Sequence, residues 1–318
     1  MKEEEVINLS KKFNFNPLQV IPLKREASGR EYWRIINDDE ETIILCYLDP
    51  NEGDHTNFIN ISNELKRNHI SGVDIIHHDK QVGVTIQEDL GDKDLISIFS
   101  DDNKEELIQR SIKLLIELQE SEIKNLEEFT KEDLINQMNL FDKVFCQKFL
   151  NLATDESIND LKLITIDKLC QHPWVNCHFD FERRNLVLDK NNHLTVIDYQ
   201  DMKKGPIGID MAGILVDHYF EADISKIKSF LNFFSTNVKS EYSDDACFEF
   251  TRWGCIQRNF RILGTLSDLY LTKDRSFRLK DMPLILKNLI KMIPEEHSSK
   301  LFLEQEVQPL LSKTVEQL

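Results

Sequence analysis

Alternating apolar and polar positions near the start of the chain predict β-strands. Residues 31–36 and 42–48 alternate in this way on either side of a polar turn, a pattern typical of a β-hairpin. A third alternating segment spans residues 82–87. Between the hairpin and this segment, three apolar residues recur at helical spacing: Phe58, Ile61 and Leu65. The pattern therefore predicts a small antiparallel sheet accompanied by a helix.

Helical periodicity dominates the later part of the chain, beginning where Asp102 and Glu105 resemble a helix-capping pair. Apolar positions recur three or four residues apart in these segments: residues 107–118, 134–150, 207–219, 253–263 and 284–293. Pro283 is expected to open the last of them. Residues 88–92 place a glycine between carboxylates, which suits a linker between lobes, although a simple turn would look the same.

We therefore predict an α+β fold with two lobes. Residues 1–91 are expected to form a small antiparallel-sheet lobe. Residues 92–318 are expected to form a larger, mainly helical lobe.

The clearest chemical pattern in the sequence involves Asp180, Asn185 and Asp198. Asp180 follows His178 by two residues, Asn185 comes five residues after Asp180, and Asp198 comes thirteen residues after Asn185. This is the order of the catalytic loop and the metal-binding aspartate of kinases. Residues 185–189 and 194–198 are expected to pair as a hairpin, which would bring Asn185 and Asp198 to one edge.

In phosphoryl transfer, Asp180 would accept the proton of the attacking hydroxyl, and Asn185 and Asp198 would hold Mg²⁺ through hard oxygen ligands. His178 is expected to brace the loop by hydrogen bonding. The competing interpretation is that Asp180 and Asn185 are ordinary turn residues and that Asp198 ends a strand. The spacing and the hairpin together favour phosphoryl transfer on a protein-kinase-like fold.

The composition argues against several other functions. The chain has 318 residues and a net charge of −17, which opposes binding to nucleic acid or to an anionic membrane surface. The first residues are acidic where a signal peptide would be basic, and no apolar run approaches a membrane span. We expect a cytoplasmic protein. The sequence is compatible with a monomer but does not determine the oligomeric state. The six cysteines lack metal-binding spacing and are expected to be reduced core residues.

Several segments resemble the aminoglycoside phosphotransferase and choline kinase superfamily. The resemblance extends over nearly the whole chain and rests on six segments: residues 27–34, 88–92, 178–185, 198–201, 205–210 and 257–264. The loop at 178–185 is typical of the whole superfamily. The segments at 198–210 and 257–264 are similar to a narrower group, the kinases that phosphorylate N-acetylmuramate and N-acetylglucosamine at the anomeric hydroxyl.

This resemblance implies a bilobal kinase-like fold that uses ATP and Mg²⁺ and binds a small-molecule substrate, an amino sugar in the narrower group. Asp180 then corresponds to the catalytic base, and Asn185 and Asp198 correspond to magnesium ligands. Asp210 is expected to support the catalytic loop from a helix. The resemblance thus implies a base, two magnesium ligands and one supporting aspartate at four positions of this chain.

The resemblance also implies a nucleotide site. Ser28, Gly29 and Arg30 occupy the place of the turn that covers the phosphates, where small residues let backbone N–H groups approach. Glu88 and Leu90 belong to the linker against which adenine would lie. A solvent-facing hairpin tip would have the same sequence as the first of these segments.

The substrate candidates are Arg258, Arg261 and Asp201. Arg258 and Arg261 lie three apart on a predicted helix and share a face, and guanidinium pairs bidentately with carboxylate. They are therefore candidates for binding an anionic group of the substrate. Structural ion pairs in a strongly acidic protein are an equally good explanation.

The sequence departs from the family pattern in three places. Residues 42–48 contain no phosphate-binding lysine, which the sugar kinases of the narrower group also lack. Residues 137–145 replace two or three carboxylates and a tryptophan of those kinases, and Asn259 stands where a histidine is usual. If that region contacts the sugar, these replacements leave the identity of the substrate open.

Three functions are compatible with these residues. The first is an ATP- and Mg²⁺-dependent kinase acting on the anomeric hydroxyl of an N-acetylated amino sugar. The second keeps this machinery but acts on another small hydroxyl compound, such as an aminoglycoside or a choline-like alcohol. The third is a non-catalytic, kinase-like nucleotide-binding module, which the retention of Asp180, Asn185 and Asp198 disfavours.

Overall fold

The computed structural model describes residues 1–23 and 29–318 and divides into two compact units. The sheet unit comprises Met1–Ile98, Glu122–Lys124 and Arg184–Asp201. The helical unit comprises Phe99–Ser121, Asn125–Arg183 and Met202–Leu318. The chain therefore leaves the helical unit and enters the sheet unit inside the predicted catalytic loop. The functional division into lobes 1–91 and 92–318 stays a prediction.

The strands of both units are short. In chain order they are β1 Pro17–Pro22, β2 Glu31–Asn37, β3 Thr42–Tyr47, β4 Ile75–Asp79, β5 Val84–Glu88, β6 Trp174–Cys177, β7 Leu186–Leu188, β8 Leu194–Val196 and β9 Lys203–Pro206. Within the described residues, β1 to β5 form one antiparallel sheet in the order β1-β2-β3-β5-β4. The strands β7 and β8 pair in the sheet unit, and β6 and β9 pair in the helical unit.

The α-helices account for most of the helical unit. In chain order they are α1 Glu3–Lys12, α2 Thr56–Arg67, α3 Leu95–Ile98, α4 Lys104–Glu120, α5 Lys131–Leu140, α6 Glu156–Gln171, α7 Gly208–Leu215, α8 Ile224–Asn237, α9 Asp244–Lys273, α10 Met282–Met292, α11 Ser299–Phe302 and α12 Gln308–Glu316. Two π-helical segments, Phe141–Phe149 and Leu303–Val307, and two 3₁₀ turns, Arg183–Asn185 and Leu279–Asp281, complete the list.

The hairpin of β2 and β3 confirms the alternation read from the sequence. Trp33 lies opposite Leu45 and Ile35 lies opposite Ile43, and all four side chains are buried. One face of the sheet therefore supplies the core of the sheet unit, since alternate side chains of a strand point to the same face.

The helical unit is built around α9. Phe260 on this helix stacks on Phe141, with ring centroids 4.0 Å apart. A Cβ at Gly254 would lie 2.1 Å from the carbonyl oxygen of Gly208, so only glycine permits α7 to approach α9 this closely. This close packing places the residues of α7 against those of α9 beside the catalytic loop.

The predicted α+β class, with a small antiparallel sheet and many helices, is confirmed. The cap predicted at Asp102 is wrong, because α4 begins at Lys104 after Asn103, whose side chain instead accepts from the N–H of Ser100 at 2.8 Å. No helix within residues 1–23 and 29–318 has both the length and the apolar character needed to cross a membrane.

Two further expectations need correction. The helix predicted over residues 207–219 ends at Leu215, because Asp217 accepts hydrogen bonds from the N–H groups of Tyr219 and Phe220 in a turn. Cys170 is exposed, so the expectation that all six cysteines are core residues is wrong for this one. The other cysteines are buried and all six are free thiols.

Candidate functional site

A cavity of about 400 Å³ opens in the sheet unit. Its walls come from β2 and β3, from the residues after β5, and from the β7–β8 hairpin. Tyr32, Ile44 and Phe58 supply apolar and aromatic surface, while Arg34 and Gln87 supply polar groups. An apolar cleft with a few polar groups is the usual form of a small-molecule site.

Residues 88–92, at the end of β5 and directly after it, form one wall of this cavity. Glu88 and Leu90 both line it. Glu88 accepts a hydrogen bond from the N–H of Asp74 at 2.7 Å, and burial raises the pKa of its carboxyl group. Gly91 has a φ of +83°, and its N–H donates to Asp89 Oδ1 at 2.9 Å. This left-handed turn explains why a glycine follows the strand here.

Arg34 on β2 attaches the linker to the sheet. Its Nε lies 2.6 Å from Asp89 Oδ2, and its Nη2 lies 2.8 Å from Asp92 Oδ1. The bond to Arg34 holds the pKa of Asp92 below its usual range, and its carboxylate partners raise the pKa of Arg34. A guanidinium that binds two carboxylates in this way fixes the cavity wall at both Asp89 and Asp92. The sequence reasoning gave Arg34 no role.

The hairpin of β7 and β8 brings Asn185 and Asp198 to the same cavity. The N–H of Ile197 donates to the carbonyl oxygen of Asn185 at 3.0 Å, and both Asn185 and Asp198 line the cavity. Asn185 is buried and Asp198 is exposed. The expected pairing of the two strands is confirmed.

Asp198 is held by its neighbour Gln200. Its backbone adopts a left-handed conformation, with φ of +64°, which aspartate tolerates better than most residues. Gln200 Nε2 donates to Asp198 Oδ1 at 2.9 Å and to Asp201 Oδ2 at 3.3 Å. The side-chain amide therefore orients one carboxylate and links it to the next. Gln200 is therefore a functional candidate. In the sequence, only its place in the Asp-x-Gln-Asp run could have indicated this.

These residues fit a magnesium ion. Asn185 and Asp198 carry side-chain oxygens and both line one cavity, and Gln200 hydrogen-bonds to Asp198. Mg²⁺ in phosphate-binding sites is usually bound by one or two protein oxygens together with phosphates and water. Across the described part of the chain, no group of three or more His, Cys, Asp or Glu residues forms a self-sufficient metal site. The donor set is thus one that a phosphate ligand would complete.

The remaining nucleotide-site candidates lie before β2. Ser28 falls outside the described residues. Gly29 has a φ of +78°, in the left-handed region that glycine favours. Burial raises the pKa of the Cys46 thiol to about 11, and the positive charge of Arg30 acts against this rise. Arg30 therefore places its charge near β3, the strand that lacks the usual lysine.

In the helical unit, Asp210 on α7 binds the backbone of the predicted catalytic loop. Its Oδ2 accepts from the backbone N–H of His178 at 2.5 Å, and its Oδ1 accepts from that of Phe179 at 2.9 Å. Burial raises the pKa of Asp210, although the charges and N–H groups around it act in the opposite direction. The Asp180 N–H donates to His178 Nδ1 at 3.2 Å. The expected supporting roles of Asp210 and His178 are both confirmed.

Asp180 lies beside a buried cluster of charges. Arg258 Nη2 is 3.3 Å from Asp180 Oδ1 and 2.6 Å from Glu182 Oε2. His218 Nε2 lies 3.2 Å from the same oxygen of Glu182, and the Tyr219 hydroxyl donates to Glu182 Oε1 at 3.2 Å. Arg258 is 1% exposed. The structural ion pairs considered as an alternative for Arg258 are therefore present.

The sequence reasoning missed Glu182, His218 and Tyr219. Glu182 is fully buried although it is charged. The sequence shows that Glu182 is a charged residue between Phe181 and the arginines of the loop, which could have indicated a special role. Its partners could not be identified, because they lie far away in the chain. Buried charges need partners, so such a residue marks an ion-pair site.

Arg261 differs from Arg258. Its Nη2 donates to the carbonyl oxygen of Phe179 at 2.9 Å and lies 3.7 Å from Asp180 Oδ1. Its side chain is 23% exposed, more than that of Arg258. Asp201, the third substrate candidate, is exposed and belongs to the sheet unit.

The departures from the family pattern have structural explanations. Gln257 Nε2 donates to Gln137 Oε1 at 2.7 Å. Lys162 on α6 donates to Asn139 Oδ1 at 3.0 Å and forms an ion pair of 2.9 Å with Asp142. Segment 137–145 is therefore joined to α6 and α9 by polar side chains.

Asn259 points into the interior of the helical unit. It is 2% exposed, and its Nδ2 lies 3.4 Å from the carbonyl oxygen of Ile285. Its replacement of a histidine thus changes packing between α9 and α10. The buried position of Asn259 gives no reason to expect that this replacement changes a contact with the substrate.

Comparison with known proteins defines the class. Choline kinase LicA from Streptococcus pneumoniae superposes with a TM-score of 0.67 at 14% identity, covering 91% of this chain and 99% of that chain. Spectinomycin phosphotransferase APH(9)-Ia superposes with a TM-score of 0.62 at 14% identity, covering 100% and 99%. The fold is therefore the protein-kinase-like fold of these small-molecule phosphotransferases.

The profile of the phosphotransferase enzyme family matches residues 19–241. The chain belongs to this family. It is an ATP-dependent phosphotransferase whose acceptor is an alcohol group.

Two curated relatives give a more specific similarity. The N-acetylmuramate/N-acetylglucosamine kinase of Neisseria meningitidis serogroup B is 22% identical over 278 residues, which is 83% of this chain and 82% of the relative. The enzyme of the same name from Pseudomonas aeruginosa is 24% identical over 221 residues, covering 68% of this chain and 65% of the relative.

Proposed function

We propose that the protein is an ATP- and Mg²⁺-dependent kinase that phosphorylates the anomeric hydroxyl of an N-acetylated amino sugar, such as N-acetylmuramate or N-acetylglucosamine. The observation that supports this best is the similarity to the N-acetylmuramate/N-acetylglucosamine kinase of Neisseria meningitidis over 83% of the chain. Asp180 belongs to the helical unit, and Asn185 and Asp198 belong to the sheet unit.

The sheet unit would bind the nucleotide. The linker residues Glu88 and Leu90 would contact adenine, and Ser28, Gly29 and Arg30 would cover the phosphates. Asn185 and Asp198 would hold Mg²⁺, which neutralises charge on the phosphates. Residues 1–91 would thus form the nucleotide-covering lobe.

The helical unit would supply the base. Asp180, on a loop fixed by Asp210, would accept the proton of the acceptor hydroxyl as it attacks the γ-phosphorus. Positioning contributes most of the rate in phosphoryl transfer, because little covalent chemistry is required of the protein. The rest of residues 92–318 would form the acceptor site.

Arg261 would bind the acceptor. Its side chain is 23% exposed and its Nη2 lies 3.7 Å from Asp180 Oδ1, a place from which it would bind the carboxylate of N-acetylmuramate. Asp201 would add a contact to a sugar hydroxyl. Both roles predict a larger effect on the KM for the acceptor than on the KM for ATP.

The test is a coupled ADP-release assay with N-acetylglucosamine, N-acetylmuramate, an aminoglycoside and choline. We expect turnover with an amino sugar, and ³¹P NMR of the product should place the phosphate on the anomeric oxygen. Asp180→Asn provides the background, because the amide keeps the shape of the base but cannot accept the proton. Amino-sugar turnover no greater than that background would rule the proposal out.

The same assay tests the second candidate, a kinase of another small hydroxyl compound. The observation that favours it is the altered segment 137–145, whose Asn139 and Asp142 are bonded to Lys162 on α6. ADP release with choline or the aminoglycoside alone would establish this candidate in place of the first.

A further inference from the structure

We propose that Arg258 is a positioning residue that holds the carboxylate of Asp180, and that Glu182 in turn holds Arg258. The proposal rests on the proposed role of Asp180 as the base. It replaces the expectation that Arg258 binds an anionic group of the substrate. The reasons are the burial of Arg258, the geometry of its bonds and the charges around it.

The burial of Arg258 excludes direct recognition of an acceptor. Its side chain is 1% exposed, whereas that of Arg261, on the same helix, is 23% exposed. A substrate contact with Arg258 would require α7 or the loop to move away. A Cβ at Gly213 on α7 would lie only 3.5 Å from Arg258 Nε, so this helix directly covers the guanidinium.

One nitrogen of Arg258 is shared by two carboxylates. Nη2 lies 2.6 Å from Glu182 Oε2 and 3.3 Å from Asp180 Oδ1. The shorter bond is to the fully buried Glu182, and the longer one is to the partly exposed Asp180. Glu182 therefore anchors the guanidinium, and the guanidinium reaches from this anchor to the base.

Glu182 has a close polar neighbour at each of its two carboxylate oxygens. Oε1 accepts from the Tyr219 hydroxyl at 3.2 Å, and Oε2 lies 3.2 Å from His218 Nε2. These two residues follow α7, while Arg258 lies on α9. The cluster therefore makes the position of the Asp180 carboxylate depend on α7 and α9, two helices of the same unit.

The contact between Arg258 and Asp180 would meet a requirement of the proposed reaction, the exact placement of the base. A base that is misplaced by about 1 Å can lose roughly two orders of magnitude in rate. The backbone of the loop is held by Asp210, but those bonds do not determine the side-chain torsions of Asp180. Arg258 supplies that restraint, because its rigid guanidinium plane fixes the nitrogen that both carboxylates share, whereas lysine carries its single nitrogen on a flexible stem.

The test compares Arg258→Lys and Glu182→Gln with the wild type and with Arg252→Lys. Arg252 is a matched control, because it lies on α9 and pairs with Glu249 rather than with the catalytic loop. For both test variants we expect kcat to fall on the order of 100-fold. The KM values for ATP and acceptor should stay within about threefold, because binding is unchanged. The control should retain wild-type kcat.

A second prediction concerns the pair. If Arg258 and Glu182 act as one unit, the double variant should lose little more activity than either single variant. Independent, multiplicative losses would contradict the proposal. A rise in the KM for the acceptor at constant kcat in Arg258→Lys would also overturn it, because it would show that Arg258 binds substrate.

Crystal structures of the two single variants provide a readout that does not depend on activity. We expect the Asp180 carboxylate to shift while the bonds from Asp210 to the loop remain. An unmoved Asp180 carboxylate in both variants would refute the positioning role even if the acceptor proves to differ from the one proposed. If Arg258→Lys does not fold, Glu182→Gln decides the matter, because its amide keeps an acceptor oxygen and nearly the same volume. Absence of turnover by the wild type with every acceptor would instead count against the proposed function.

Discussion

The backbone N–H of His178 donates to the carboxylate of Asp210 at 2.5 Å, which attaches the proposed catalytic loop to α7. The neighbouring N–H of Phe179 donates to the other oxygen of Asp210 at 2.9 Å. A fully buried carboxylate thus satisfies two backbone donors of a loop that forms no regular structure there. The shape of the loop depends on a side chain that is more than thirty residues away.

Replacement of Asp210 by asparagine should weaken this attachment. The amide has one acceptor oxygen instead of two, so at least one buried N–H loses its partner, at a cost of about 1–3 kcal/mol. We expect a lower free energy of unfolding in urea and a lower kcat. Asp189→Asn, which changes a carboxylate in the β7–β8 turn, serves as the control. Unchanged stability and unchanged kcat in Asp210→Asn would contradict this account.

Gln200 should control the affinity for Mg²⁺. Its Nε2 orients Asp198 through a bond of 2.9 Å, and loss of such an outer partner typically weakens metal binding by about 10–100-fold. Gln200→Leu should therefore raise the Mg²⁺ concentration at half-maximal ADP release by at least about tenfold. The exposed Gln171→Leu is the matched control. A Gln200→Leu titration that overlays the wild-type curve would show that Asp198 needs no such restraint.

Arg34 should affect nucleotide binding. Its bonds to Asp89 and Asp92 hold the linker wall of the cavity, so Arg34→Met should raise the KM for ATP. We expect the change to be about tenfold, since a lost charge-assisted bond is worth roughly 1.5–3 kcal/mol. Lys66→Met removes an exposed ion pair with Asp74 and should have little effect. An equal KM for ATP in the two variants would mean that the linker keeps its place without Arg34.

His172 should make the protein less stable in acid. Burial, aided by the nearby charge of Lys168, lowers its pKa from 6.5 to about 4. The unfolded chain therefore binds the proton more readily than the folded protein between these values, so stability falls as the pH drops through this range. The melting temperature of His172→Gln should decline less between pH 7 and 4 than that of the wild type.

The exposed His193→Gln is the control for this experiment, and its melting curve should follow the wild type. A His172→Gln curve that stays parallel to the wild type would show that this imidazole titrates alike in both states.

Local patterns in the sequence were sufficient for most of the fold. The β2–β3 and β7–β8 hairpins were predictable because alternation and polar turns are properties of neighbouring residues. The start of α4 and the end of α7 were misplaced. At both points, polar side chains bind nearby backbone groups in turns that compete with the helix.

The sequence by itself determined the order and spacing of Asp180, Asn185 and Asp198, and with them the class of reaction. Only the tertiary structure decided that Arg258 is buried against Glu182 and Asp180, and that Arg261 stays partly exposed. The two arginines are three residues apart and alike in local sequence, so spacing cannot distinguish them. Their difference arises from the close approach of α7 to α9 and from partners 76 and 78 residues away in the chain, which only the folded protein brings together.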